Sequence, residues 1–165
     1  MYKRQTLDEL PDFTDYSMKG RTYRYLTEEP LYPFGYGLSY GDVQVEKAEF
    51  AKAPEKEQDA EIRVTVKNHS EVATRDVVEV YIKNQDSKYA PVNQALCGFA
   101  KVSLGAGEEK ELTITVSKEA YKVVNDEGEK IFDSSSSILF VGTNGPDKRS
   151  EALTGKTTKQ LVINW

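Results

Sequence analysis

Short runs in which apolar and polar residues alternate, turn signals between those runs, and the lack of any helical crossover predict an all-β fold, an antiparallel β-sandwich. The first 40 residues lack this period and are expected to form an extended strap.

The clearest run is DAEIRVTVKN, where Ile62, Val64 and Val66 alternate with Glu61, Arg63, Thr65 and Lys67, the pattern of a half-buried strand. TRDVVEVYIKN repeats it, with Val78, Val80 and Ile82 inward and Glu79 on the opposite face, where lysine should be tolerated. ELTITV does the same with Leu112, Ile114 and Val116. DVQVEKAEFA, ALCGFAKVSL, SILFVG and QLVINW complete the set of strands. Between them lie Asn68-His69-Ser70, Gly105-Ala106-Gly107, Asn125-Asp126-Glu127-Gly128 and Asn144-Gly145-Pro146, all rich in turn formers. SKEAYKVV is the one helical hint, with Ser117 placed to cap a short turn. Ser134 to Ser137 reads as a loop or the start of a strand, and GTNGPDKRS as extended chain. The expected organisation is a strap over residues 1–40 and an immunoglobulin-like sandwich over residues 41–165.

At 165 residues the chain holds one domain and a margin, with a real core but no room for a second full domain. Its net charge is −5 and its charges are mixed along the sequence, so nucleic acid is not an expected partner. Apolar runs such as ILFVG fall far short of the roughly 20 residues that span a bilayer, and no membrane partner is expected. The N-terminal residues have no apolar stretch of the secretory type, which favours a cytoplasmic location. Cys97 stands alone, excludes an internal disulfide and reads as a small buried strand residue.

Hydrolysis requires paired groups whose surroundings push their pKa values apart. The acidic neighbours Asp8/Glu9, Glu28/Glu29 and Asp126/Glu127 sit in polar segments and point apart, which leaves them solvated. His69 is the only histidine and falls in a predicted turn; no metal-ligand spacing and no phosphate cradle is present. Catalytic residues, metal ligands and cofactors are therefore all expected to be absent. Asn68-His69-Ser70 matches a glycosylation acceptor but reads as a turn between strands.

The strap carries the remaining chemistry. YRYLTEEPLYPFGYGLSY places Tyr23, Tyr25, Tyr32, Phe34, Tyr36 and Tyr40 among Pro33, Gly35 and Gly37, a composition unsuited to a helix. Such rings can stack on sugars beside an arginine, or they can fill a crevice between layers. Packing is the expected use, through Arg21, Tyr23, Arg24, Tyr25, Tyr32, Pro33, Phe34, Tyr36 and Tyr40. The alternative is sugar contact by Tyr32, Phe34 and Tyr36.

MKGRTYRYLTEEPLYPFGYGLSY closely resembles the segment joining the second catalytic domain of glycoside hydrolase family 3 enzymes to their C-terminal fibronectin type III-like domain. VTVKNHSEVATRDVVEVYIKN, NQALCGFAKVSLGAGEEKELTITV and VGTNGPDKRSEALTG are similar to that domain itself. The likeness runs from about Asp15 to the end, and ALCGF and PDKRSEALTG look most like bacterial β-glucosidase or β-xylosidase members. The resemblance implies a parent with an aspartate nucleophile and a glutamate acid/base in upstream domains. No residue here matches either motif. It also implies that the upstream catalytic domains are the partner, that this chain is an inactive accessory piece, and that its rings pack between domains. A stand-alone carbohydrate-binding module, with carbohydrate as the partner, is the alternative.

Overall fold

The computed structural model describes residues 12–52 and 54–165, and its strands start where apolar alternation starts. In β2 (Ala60–Asn68) every second side chain is buried, with Ile62, Val64 and Val66 at zero exposure. β2 lies between β1 (Val43–Lys52) and β5 (Glu109–Val116), antiparallel to both. The second sheet has the order β4 (Ala95–Leu104), β3 (Thr74–Gln85), β8 (Ser136–Gly142), β9 (Lys159–Asn164), again antiparallel throughout. Their inner faces interlock through Val64, Val66, Val78, Val80, Ile114, Leu139 and Val141, so the predicted all-β sandwich is the observed fold. Leu112 is only partly buried, at the margin of that core.

Three features differ from expectation. A two-residue hairpin, β6 (Val123–Val124) with β7 (Lys130–Ile131), spans the Asn125–Gly128 turn; runs this short carry no readable period. GTNGPDKRS is not extended, because Asp147 caps a helix α2 (Lys148–Thr154) by accepting from the Ser150 N–H at 2.8 Å. That helix stops at Gly155, whose φ of 69° suits glycine. In the strap, Thr22–Tyr25 forms a single helical turn, α1, despite its aromatic composition.

The expected turn at SKEAYKVV is a 3-10 turn (Lys118–Tyr121), with the Ser117 hydroxyl accepting from the Glu119 N–H. It drives Tyr121 into the core against Trp165, ring centroids 4.8 Å apart. Asn68, the acceptor of the glycosylation-like triplet, is fully buried. Its Nδ2 donates to Val72 O and Gly105 O, and its Oδ1 accepts from the Ser70 backbone and hydroxyl, which fixes the turn.

Candidate functional site

The strap lies over the outer face of the β4-β3-β8-β9 sheet, and the sequence of β3 shows where. Val80, Tyr81 and Ile82 are consecutive and all buried, although neighbours on a strand point to opposite faces. Val80 and Ile82 enter the core. Tyr81 points outward, yet is only 2% exposed because the strap covers it. A bulge between Val80 and Tyr81 sits opposite Gly98 and Leu96 of β4 at this point.

Three rings build the contact. Tyr23 stacks on Phe34 with centroids 4.4 Å apart and planes 13° apart, and Phe34 meets Tyr81 edge-on at 6.5 Å. Offset stacks and T-shaped pairs each add about 0.5–1.5 kcal/mol beyond area burial. Beside them the Tyr81 hydroxyl donates to Glu79 Oε2 at 2.8 Å. The strap passes so close here that a Cβ on Gly35 would lie 2.5 Å from the Tyr81 hydroxyl and 2.8 Å from Glu79 Oε2. Only glycine fits, and its φ of 82° is also left-handed. Glu79 is therefore not a freely solvated outer-face residue that would accept lysine. It is half-buried, and desolvation raises its carboxyl pKa, a shift that the Tyr81 hydrogen bond opposes and the nearby Asp76 charge adds to.

Main-chain ties complete the docking. Asn93 Nδ2 donates to Tyr23 O at 2.7 Å and Leu26 O at 2.6 Å, while the Asn93 N–H donates to Arg24 O at 3.0 Å. From α2, Arg149 donates to Leu31 O and forms an ion pair with Glu29 at 3.8 Å. A cleft of about 220 Å³ remains between strap, Tyr81 and the start of α2.

The residues singled out from sequence fall into two groups. Tyr23, Tyr25, Phe34 and Tyr36 are half-buried and Pro33 is buried. Arg21 stays within the strap, paired with Asp15 at 3.4 Å. Tyr32 stacks on Tyr36 at 5.3 Å but is 51% exposed; Arg24 is exposed, and Tyr40 is 99% exposed. Sequence reasoning missed Glu79, Tyr81, Asn93 and Arg149. A large aromatic at the outward position of VEVYIKN was the available signal for Tyr81; Asn93 in its loop and Arg149 in α2 carried none.

Glu28/Glu29 and Asp126/Glu127 are exposed, and Asp8/Glu9 lie outside the described residues. His69 pairs with Glu46 at 2.6 Å. Among the described residues no group of three or more His, Cys, Asp or Glu could hold a metal ion. Cys97 is half-buried, its thiol donating to Val80 O and pushed up to about 12 by desolvation, which makes it a poor nucleophile.

A family model described as a fibronectin type III-like domain matches residues 76–144, which run from β3 through β8. A putative beta-xylosidase of Formosa agariphila is 33% identical over 88% of this chain, and the thermostable beta-glucosidase B of Acetivibrio thermocellus is 32% identical over 86%. The chain belongs to the fibronectin type III-like domains of glycoside hydrolase family 3. The fibronectin type III-like chain spans about a fifth of each relative, 19% and 20%. Two beta-glucosidase crystal structures superpose on it. That of Listeria innocua in complex with isofagomine covers 97% of this chain, with TM-score 0.68, 29% identity and 20% of its own chain matched. The family 3 enzyme of Bifidobacterium adolescentis covers 86%, with TM-score 0.70, 26% identity and again 20% of its own chain.

Proposed function

We propose that this domain is a non-catalytic scaffold of a family 3 β-glycosidase, and that residues 1–40 are the strap through which it docks onto the upstream catalytic domains. The observation that carries this reading is the two-sidedness of the strap. Its inner side stacks Tyr23 and Phe34 onto the sandwich at Tyr81, while Leu31, Tyr32, Leu38 and Tyr40 are exposed. Apolar patches beyond a few hundred Å² are unusual on soluble monomers and mark surfaces that meet a partner. Enzymes of similar sequence are about five times longer, which supplies the candidate partner in the same polypeptide. A retaining glycosidase needs two carboxyl groups roughly 5 Å apart across a sugar pocket. The exposed acidic neighbours described above do not offer that arrangement, so the chemistry belongs to the upstream domains.

Sedimentation and activity assays test the reading together. The isolated chain should self-associate and bind a hydrophobic dye, both should fall when the upstream domains are added in trans, and aryl β-glucosides and β-xylosides should not be turned over by this chain. Turnover that a single carboxylate substitution abolishes would refute the scaffold reading. The stacked and half-exposed Tyr32–Tyr36 pair favours a second reading, a carbohydrate-binding module. Retention of a monomeric chain on xylan, lost in Tyr32→Ala, would replace the first reading with the second.

A further inference from the structure

In a chain of net charge −5, one cleft is walled by cations and contains no acid. It opens between α1, the end of β3, the loop leading to β4, and β6, and encloses about 240 Å³. Arg24, Lys83 and Lys122 line it together with Tyr25 and Tyr89, and neither Asp nor Glu is in the wall. Lys122 is balanced by Glu119 at 2.8 Å. The Tyr89 hydroxyl donates to Asp126 at 3.2 Å, and Asp126, which is not in the wall, pairs with Lys88 at 3.1 Å. Lys83 and Arg24 have no carboxylate partner among the described residues. The Lys83 ammonium donates to Pro91 O at 2.8 Å and Val92 O at 2.5 Å, which occupies two of its three protons.

We propose that this cleft binds a sugar carboxylate, a single uronic acid residue. Arg24 and the third Lys83 proton are placed to take the carboxylate, by charge-assisted hydrogen bonds. Tyr25, and the face of Tyr89 away from the Lys88 ammonium that lies 4.6 Å from its centroid, offer apolar surface to a pyranose ring, which a bare inorganic anion has no use for. The volume is below the roughly 300 Å³ at which larger ligands are held, and suits one ring. Desolvation already holds the Lys83 pKa below its ordinary value, so an anion would relieve a half-buried charge that has only carbonyl partners. The inference is independent of the scaffold reading, since it needs no second domain.

The test is a titration of the full chain, followed by amide chemical shifts, with methyl β-glucuronide, methyl β-glucoside and inorganic phosphate. The glucuronide should saturate shifts at Tyr25, Lys83 and Tyr89, with the glucoside and phosphate each at least about tenfold weaker. Arg24→Gln, an exposed position, should weaken the glucuronide about tenfold without changing the melting temperature. Lys83→Met should weaken the glucuronide by a similar factor, with some loss of melting temperature because Pro91 O and Val92 O lose their donor, and serves as the second variant. No saturable response to glucuronide, equal binding of the glucoside, phosphate as tight as glucuronide, or an Arg24→Gln chain that binds unchanged would each overturn the assignment.

Discussion

The two faces of the β4-β3-β8-β9 sheet are covered by different means. On the inner face, β3 meets another sheet through aliphatic side chains at zero exposure, such as Val78 and Val80. On the outer face, the same strand and the loop after it meet the strap through three rings, a glycine and a handful of hydrogen bonds to main-chain carbonyls. The inner contact is non-directional and repeats every second residue, so its strength is spread over many positions. The outer contact is directional and concentrated, so single atoms decide it. The comparison teaches that one strand can share a diffuse aliphatic core on one face and a directional contact with the strap on the other.

The largest effect should come from Val80→Asp, which buries an unpaired charge and should cost more than about 4 kcal/mol. Loss of far-ultraviolet strand signal at room temperature would confirm it; a folded Val80→Asp chain would show that the inner face is not continuous through β3. Asn93→Ala comes next, and it separates the two contacts. Two strap carbonyls lose their donor, so docking should weaken by about 2 kcal/mol. Limited proteolysis should then cut between Tyr23 and Tyr40 while the sandwich melts nearly as before. Gly35→Ala should cost about 1–2 kcal/mol of the same docking, through its left-handed φ and the contact with Tyr81 and Glu79. Unchanged Tyr23 and Phe34 ring shifts in that variant would mean the strap is held elsewhere.

The smallest effect is a pH dependence. Desolvation under the strap raises Glu79; it also raises Asp76, but there the Val77 N–H, the Lys156 charge and the Ser39 hydroxyl of the strap all oppose it, so the docking-linked shift is that of Glu79. A raised carboxyl pKa in the docked state penalises its ionised form, so docking is tightest below about pH 4 and weakens as pH rises through the raised Glu79 value. Proteolysis of the strap should therefore be slower in mild acid than at neutrality, measured with a protease active at both, and Glu79→Gln should flatten the difference. A strap that loosens on acidification would reverse the assignment.

The sandwich was legible because its signal is repeated: Ile62, Val64 and Val66 each vote for the same face, and β2 and β3 begin and end close to where their alternation does. The outer contact was not legible, for the same physical reason that makes it specific. Asn93 reaches Tyr23 across 70 positions and Arg149 reaches Leu31 across 118, and neither residue stands out among its neighbours. Glu79 was expected to accept lysine because alternation assigns a face but does not say what covers it. The helix α2 was missed because glycine and proline in GTNGPDKRS hid an aspartate cap, a four-residue signal inside a turn-rich stretch.

Tyr81 has a consequence for anyone who cuts this module out and grafts it onto another protein. A boundary drawn at Val43, where the first strand begins, yields every strand of the sandwich but strips the lid from Tyr81 and Glu79. The excised piece would present a tyrosine ring in the middle of an open sheet face, a sticky spot for neighbouring copies in a concentrated preparation. A cut upstream of Arg21 keeps the cover over Tyr81 and Glu79 and leaves the recipient protein to meet only the outer side of the strap, at Leu31, Tyr32, Leu38 and Tyr40.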